Sequence, residues 1–236
     1  MALLAFIKDG DLYTSANRLL EAAKHAAEHV DTNPYRNVID PFSALVDAAR
    51  QKISLEKWMG QEKARQTQKG FQNALGDFHQ DVLGFMPGWE NMGRGGNIDI
   101  RNVEKKIIAE VKNKHNTMNA RSAINVYDNL AGYIDFNDKS LKAYLVEIIP
   151  KKTKPYELPF IPSERGTQRQ RRDNLVKVDG RSFYALASGD KLALDKLYKV
   201  LPKVLGDIMR LDPVALSGSE DFKDLFERAY ITPTTK

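Results

Sequence analysis

Residues 141–150, LKAYLVEIIP, are apolar at every position except Lys142 and Glu147. A strand with one wet face alternates, and this one does not, so it belongs in the middle of a sheet covered on both faces. The segments before it supply neighbours. Residues 119–136 read as a helix with Ala123, Val126, Leu130, Ala131 and Ile134 turned inward, Asn119 as its cap and Arg121 in its first turns. Before that lies GGNIDIRNVEKKIIAEVKNKHN, residues 95–116. Ile98-Asp99-Ile100 predicts a short strand, Arg101-Asn102 a turn, and residues 103–114 a second, longer strand. The order strand, strand, helix, strand implies an α/β (α+β) fold: a central mixed sheet flanked by helices.

That hairpin also carries the chemistry. Side chains two apart on a strand share a face, so Glu110 and Lys112 project together while Val111 turns into the core. A tight turn brings Asp99 back toward them, which predicts two carboxylates and one ammonium converging at a sheet edge. Such a trio suits holding a divalent cation against a phosphate. The chain offers the same spacing at Glu104-Lys105-Lys106 and at Asp221-Phe222-Lys223. The first adjoins the turn and has charges on successive residues, hence on both faces; the second falls in a C-terminal helix. Both read as solvated. Glu110-Val111-Lys112 instead follows Ile107, Ile108 and Ala109, where a strand leaves the core.

Asp99 with Glu110-Val111-Lys112 resembles the PD-(D/E)xK nuclease signature, with Ile98 where the idealised motif has proline. The continuation KNKHNTMN (residues 112–119) resembles more narrowly the type II restriction endonucleases that cut GC-rich palindromes of the GGNCC or GGWCC kind. VDGRSFYALASG (178–189) is similar to the same group. The resemblance implies a restriction-endonuclease-like core with Asp99, Glu110 and Lys112 catalytic, and Mg²⁺ held by Asp99, Glu110 and the main-chain carbonyl of Val111. It also implies a homodimer on double-stranded DNA and a cognate DNA methyltransferase as genetic partner. In many of these enzymes a glutamate from a preceding helix joins the metal site. Glu62 suits that role, and suits equally a surface pairing with Arg65 or Gln66.

The rest of the chain reads as one endonuclease domain over its 236 residues: a mainly helical region at 1–90, the catalytic core at 91–150, and a basic loop, strand and helices at 151–236. The apolar run at 2–7 is too short for a signal peptide or a membrane span, and a soluble cytoplasmic protein is expected. With no cysteine, disulfides and thiolate zinc sites are excluded. Helices are expected at 11–30, from Asp40-Pro41 to Gln51, and at 54–83 with Ser54 as N-cap; residues 32–35 read as a turn. His25 and His29 have the spacing of a metal pair but no third ligand nearby, and read as surface residues. Residues 84–96, rich in glycine, form a loop whose Arg94 either reaches a phosphate or is solvated.

Beyond the core, 151–162 is a proline-interrupted connection and 177–186 a further strand. Residues 192–211 form an amphipathic helix that Pro202 and Gly206 kink or shorten, and 222–230 a last short one. The most basic stretch is SERGTQRQRR (163–172), with Arg165, Arg169, Arg171 and Arg172. Such a run is either a solvated loop or a DNA contact, since arginine pairs with guanine and with phosphate. The net charge of +5 fits a polyanion partner without requiring one. Lys114, His115, Asn116, Asn119 and Arg121, just past the catalytic strand, are the first candidates for reading DNA. Three activities are open at this level: a site-specific restriction endonuclease, a repair or recombination nuclease on the same core, and a non-catalytic DNA-binding module.

Overall fold

A computed structural model describes residues 2–32, 38–93 and 95–230. Its elements run α1 (Asp9–Thr32), α2 (Pro41–Gln51), α3 (Leu55–Gly84), β1 (Glu90–Asn91), β2 (Ile100–Asn102), β3 (Ile107–Lys114), α4 (Ala120–Asn137) and β4 (Lys142–Ile149). There follow β5 (Glu157–Pro159), β6 (Ser163–Glu164), β7 (Thr167–Gln168), β8 (Leu175–Asp179), α5 (Gly180–Ser188), α6 (Ala193–Met209), α7 (Val214–Ser217) and α8 (Glu220–Tyr230). They form two compact units: residues up to Ala16 with those from Phe78 onward, and residues 17–77.

The first unit is built on a mixed six-stranded sheet of order β1-β2-β3-β4-β8-β5. β2 and β3 are antiparallel, β3, β4 and β8 are parallel, and β5 closes the far edge antiparallel to β8. The apolar run is β4, flanked on both sides and buried from Ala143 to Ile148. On one face, Ile108, Ala143, Leu145 and Leu175 pack beneath Tyr127, Leu130, Ala131 and Ile134 of α4. On the other, Tyr144 meets the edge of Phe183 of α5 at 5.5 Å between ring centroids. The α/β class and the expected central strand are both observed. Asn119 caps α4 by accepting the Ser122 N–H at 2.8 Å.

Four local expectations are corrected. Arg101 and Asn102 belong to β2, where Arg101 Nε reaches Glu90 Oε2 at 2.7 Å across the β1–β2 pair. The turn falls instead at 103–106: the Asn102 side chain accepts the Lys105 N–H and Lys106 adopts a left-handed φ of 54°. Residues 177–186 are not one strand. β8 ends at Asp179, whose carboxylate caps α5 through the Ser182 N–H at 2.9 Å. Phe183, Tyr184 and Ala187, spaced for one helical face, are what the alternation concealed. The proline-interrupted connection contains the edge strand β5, a place proline tolerates. α6 is not shortened: it runs through both Pro202 and Gly206, and a Cβ on Gly206 would meet Leu211 O at 2.8 Å, where the chain turns back.

In the second unit, α2 packs Ala44 and Ala48 on Trp58 of α3. Trp58 Nε1 donates to Asp47 at 3.0 Å, and a Cβ on Gly70 would meet the Ala26 Cβ at 2.7 Å, so α1 and α3 approach closely there. Ser54 accepts the Lys57 N–H at 3.2 Å, as its N-cap role requires. Arg94 and all but the first residue of the expected turn at 32–35 lie outside the described residues.

Candidate active site

Ile98 and Ile100 are buried at 2% and 0% exposure, and between them Asp99 is turned away from the core. Its N–H donates to Ala109 O at 3.0 Å and its O accepts the Met92 N–H at 2.8 Å. Its carboxylate Oδ2 accepts the main-chain N–H of Val111 at 2.7 Å. Two of these bonds land on the residues flanking Glu110, so the acid is fixed beside that position by backbone contacts.

Along β3 the burial alternates after Ala109, with Glu110, Lys112 and Lys114 part-exposed and Val111 and Asn113 buried. Lys112 Nζ donates to Glu110 Oε1 at 2.5 Å, with 27% and 16% of their side chains exposed. An ion pair half-sheltered by the sheet but reachable from solvent can exchange partners when an anion arrives. Asp99, Glu110 and Lys112 are thus brought together as the spacing requires, though not at a sheet edge: β3 is interior, and the trio lies toward its C-terminal half, beyond the core under α4. The rival spacings are exposed as expected at Glu104, Lys105 and Lys106, and at Asp221 and Lys223.

Sequence reasoning missed the polar row beside this trio. Lys112 is in register with Glu147 on β4, and Glu147 with Asp179 on β8. Glu147 and Asp179 are buried, and Tyr156 ties them: its hydroxyl donates to the Glu147 carboxylate and its N–H to Asp179 at 2.8 Å. Burial, and then Glu147, raise the Tyr156 pKa, so the phenol stays a donor. The signal was the lone acid within the apolar run. A cleft of about 250 Å³ beside the row is lined by His115, Met118, Glu147, Phe160 and Lys177. His115 Nδ1 is buried there with no hydrogen-bond partner among the described residues, while its N–H donates to Ile149 O at 3.0 Å.

The basic stretch is not a featureless loop. β6 and β7 form a two-stranded ribbon turning at Arg165-Gly166, with φ of 50° and 82°. Arg169 forks onto Asp128 of α4 at 2.8 and 2.6 Å, and Arg172 onto Asp135 at 3.1 and 2.7 Å. Arg172 in turn holds the Asp135 carboxyl below its ordinary pKa. Arg171 pairs with Asp173 at 3.2 Å. Arg121, Asn116 and Asn119 are exposed around the start of α4. Glu62, in the other unit, is bonded by Arg65 at 2.6 Å and by Gln66 at 2.9 Å, and Arg65 lowers its pKa. His25 and His29 lie 6.5 Å apart by ring centroid, and among the described residues no group of three His, Cys, Asp or Glu gathers as a metal centre.

Set against known proteins, the chain has clear relatives. The family described as Eco47II restriction endonuclease matches residues 4–210. The chain is 40% identical to the type II restriction enzyme Eco47II of Escherichia coli, over 98% of this chain and 100% of that protein. It is 28% identical to the type II restriction enzyme Sau96I of Staphylococcus aureus, over 96% of this chain and 89% of that one. No solved structure matches. Fold and relatives together define a type II restriction endonuclease, an enzyme acting on double-stranded DNA. The chain belongs to the Eco47II restriction endonuclease family. No helix among the described residues is long and apolar enough to cross a membrane.

Proposed function

We propose that this chain hydrolyses double-stranded DNA with Mg²⁺ at a short, GC-rich palindrome of the GGNCC kind. It acts as a cytoplasmic homodimer within a restriction–modification system whose methyltransferase protects the same site. The observation that carries this reading is the clamp on Asp99, whose three backbone bonds hold one carboxylate beside the Glu110–Lys112 pair.

The donor set fits the metal. Mg²⁺ prefers oxygen ligands and needs only one or two protein carboxylates, with water and phosphate supplying the rest. Asp99 and Glu110 provide those carboxylates, and the Val111 carbonyl is a third oxygen. Held by these oxygens, Mg²⁺ would supply positive charge to offset that of the phosphate and would make a water molecule more acidic. Asp99 is already positioned by its accepted N–H, so little ordering entropy remains to be lost when it binds. Lys112, now held by Glu110, turns its ammonium to a non-bridging oxygen of the scissile phosphate and orients the attacking water. The residues proposed for holding DNA are Lys114, His115, Asn116, Asn119 and Arg121, with Arg94 and the arginines of 163–172.

A palindromic site has a two-fold axis, and a symmetric dimer presents one catalytic trio to each strand. The test is a digest of a long, unmethylated phage DNA of known sequence with purified protein and Mg²⁺, beside an EDTA control. Discrete bands that map to one GC-rich palindrome and vanish with EDTA are expected. A smear, or intact DNA with folded protein, overturns the proposal.

A further inference from the structure

Four arginines crowd residues 163–172, and the structure gives them different work. Arg169, Arg171 and Arg172 are each occupied by an aspartate. The Arg165 side chain has no hydrogen bond or ion pair among the described residues, and neither does that of its neighbour Glu164. The ribbon that carries them is well braced. The Arg169 fork and the Tyr127 hydroxyl on Gln170 O pin its base to α4, and the Arg169 N–H on Pro162 O at 3.0 Å ties the two ends of the ribbon together. Its turn has positive φ at both central residues, the conformation of the tight hairpin turns that favour asparagine and glycine. Gly166 satisfies that preference and Arg165 does not, at a cost of roughly 1 kcal/mol. The turn therefore holds a long cationic side chain at the exposed tip of a rigid ribbon, over a cleft of about 510 Å³ walled by Arg121, Asn125 and Asp128 of α4.

We propose that this ribbon is the base-reading element, with Arg165 and Glu164 recognising one G·C pair of the site through the major groove. A two-stranded ribbon fits that groove. Arginine donates in parallel to guanine O6 and N7, and a carboxylate accepts from cytosine N4, so adjacent Arg and Glu match the two edges of a G·C pair. The carboxylate separates this role from a phosphate clamp: Glu164, beside the tip, repels a phosphate and can accept from a base amino group. Arg169 and Arg172, which hold the ribbon in place, read no base and can meet only the DNA backbone. The inference rests on the site-specific endonuclease reading above.

The wild-type digest first maps the site; if no single sequence is cut, it is the endonuclease reading that has failed. Arg165→Gly is then compared with wild type on the mapped site and on duplexes altered at one base pair each. Glycine suits the positive φ, so folding is spared. The expected result is a fall of about 10- to 100-fold in kcat/KM on the mapped site, with cutting of duplexes altered at one G·C pair unchanged, so discrimination collapses there alone. Glu164→Ala should relax the same pair. An equal fall on every duplex with a shallower salt dependence marks a phosphate contact and overturns the assignment, as does no change.

Discussion

The carboxylate of Asp99 accepts the Val111 N–H at 2.7 Å, so one acid completes the β2–β3 ladder and, in the site proposed above, is also the metal ligand. The two jobs separate in mutants. The amide introduced by Asp99→Asn keeps an oxygen that can accept the N–H but has no charge. Asp99→Ala loses both. Both variants should lose cleavage, by about a thousandfold or more. Only Asp99→Ala should also lose stability, by about 1 kcal/mol for the abandoned N–H. Urea unfolding beside a cleavage assay decides it; normal cutting by either variant would show that Asp99 holds no metal.

Lys112 and Glu110 neutralise one another at 2.5 Å, and that contact makes a second prediction. Lys112→Ala frees the Glu110 carboxylate, so cation binding should persist while positive charge is missing from the phosphate. Cleavage is expected to drop roughly 10²- to 10⁴-fold with DNA binding largely kept. Measuring cutting and gel-shift affinity on one duplex tests this, and a parallel loss of both would make Lys112 a binding residue.

Much of this was legible because local signals and tertiary demands agreed. Asn119, Ser54 and Asp40-Pro41 start their helices where side-chain chemistry places them, and the unalternating β4 is buried on both faces. The Glu110–Lys112 face follows from period two alone. The failures share a cause. At 103–106 the turn is fixed by the Lys105 N–H donating to the side chain of Asn102, the last residue of β2, and by a left-handed Lys106, a residue type that rarely takes that conformation. At 177–186 an N-cap hides within a pattern that reads equally as strand, and only packing of Phe183 on Tyr144 and Trp89 selects the helix. The Glu147–Tyr156–Asp179 row joins residues on separate elements, and no spacing in the sequence announces it.

Gly180 shows how tightly that helix is seated. Its φ is ordinary, so glycine is not there for the backbone; a Cβ would come within 2.5 Å of Ile148 O and 2.6 Å of Ile148 Cα. Both atoms belong to the central strand and cannot swing aside. Gly180→Ala should gain helix propensity and still destabilise the protein, by about 1–3 kcal/mol, because the overlap outweighs it. Thermal unfolding checks this. The same substitution at Gly132 of α4, where a Cβ meets nothing, should be neutral or stabilising.

His79 gives a prediction in pH. Its Nδ1 lies 2.8 Å from the Tyr184 hydroxyl, and burial lowers the ring's pKa from 6.5 to about 4. Tyr184 is itself buried, with its pKa raised, so it remains protonated and can only donate to a neutral ring or accept from it. A folded pKa below the unfolded one means that the unfolded chain binds the extra proton first. The contribution is therefore intact above pH 6.5 and is lost progressively as pH falls toward 4, by at most about 3 kcal/mol. Urea midpoints between about pH 7.5 and 4.5 should fall more steeply for wild type than for His79→Gln, which keeps a polar partner for Tyr184 but does not titrate. Equal slopes would mean that the histidine is hydrated and protonates freely in the folded protein.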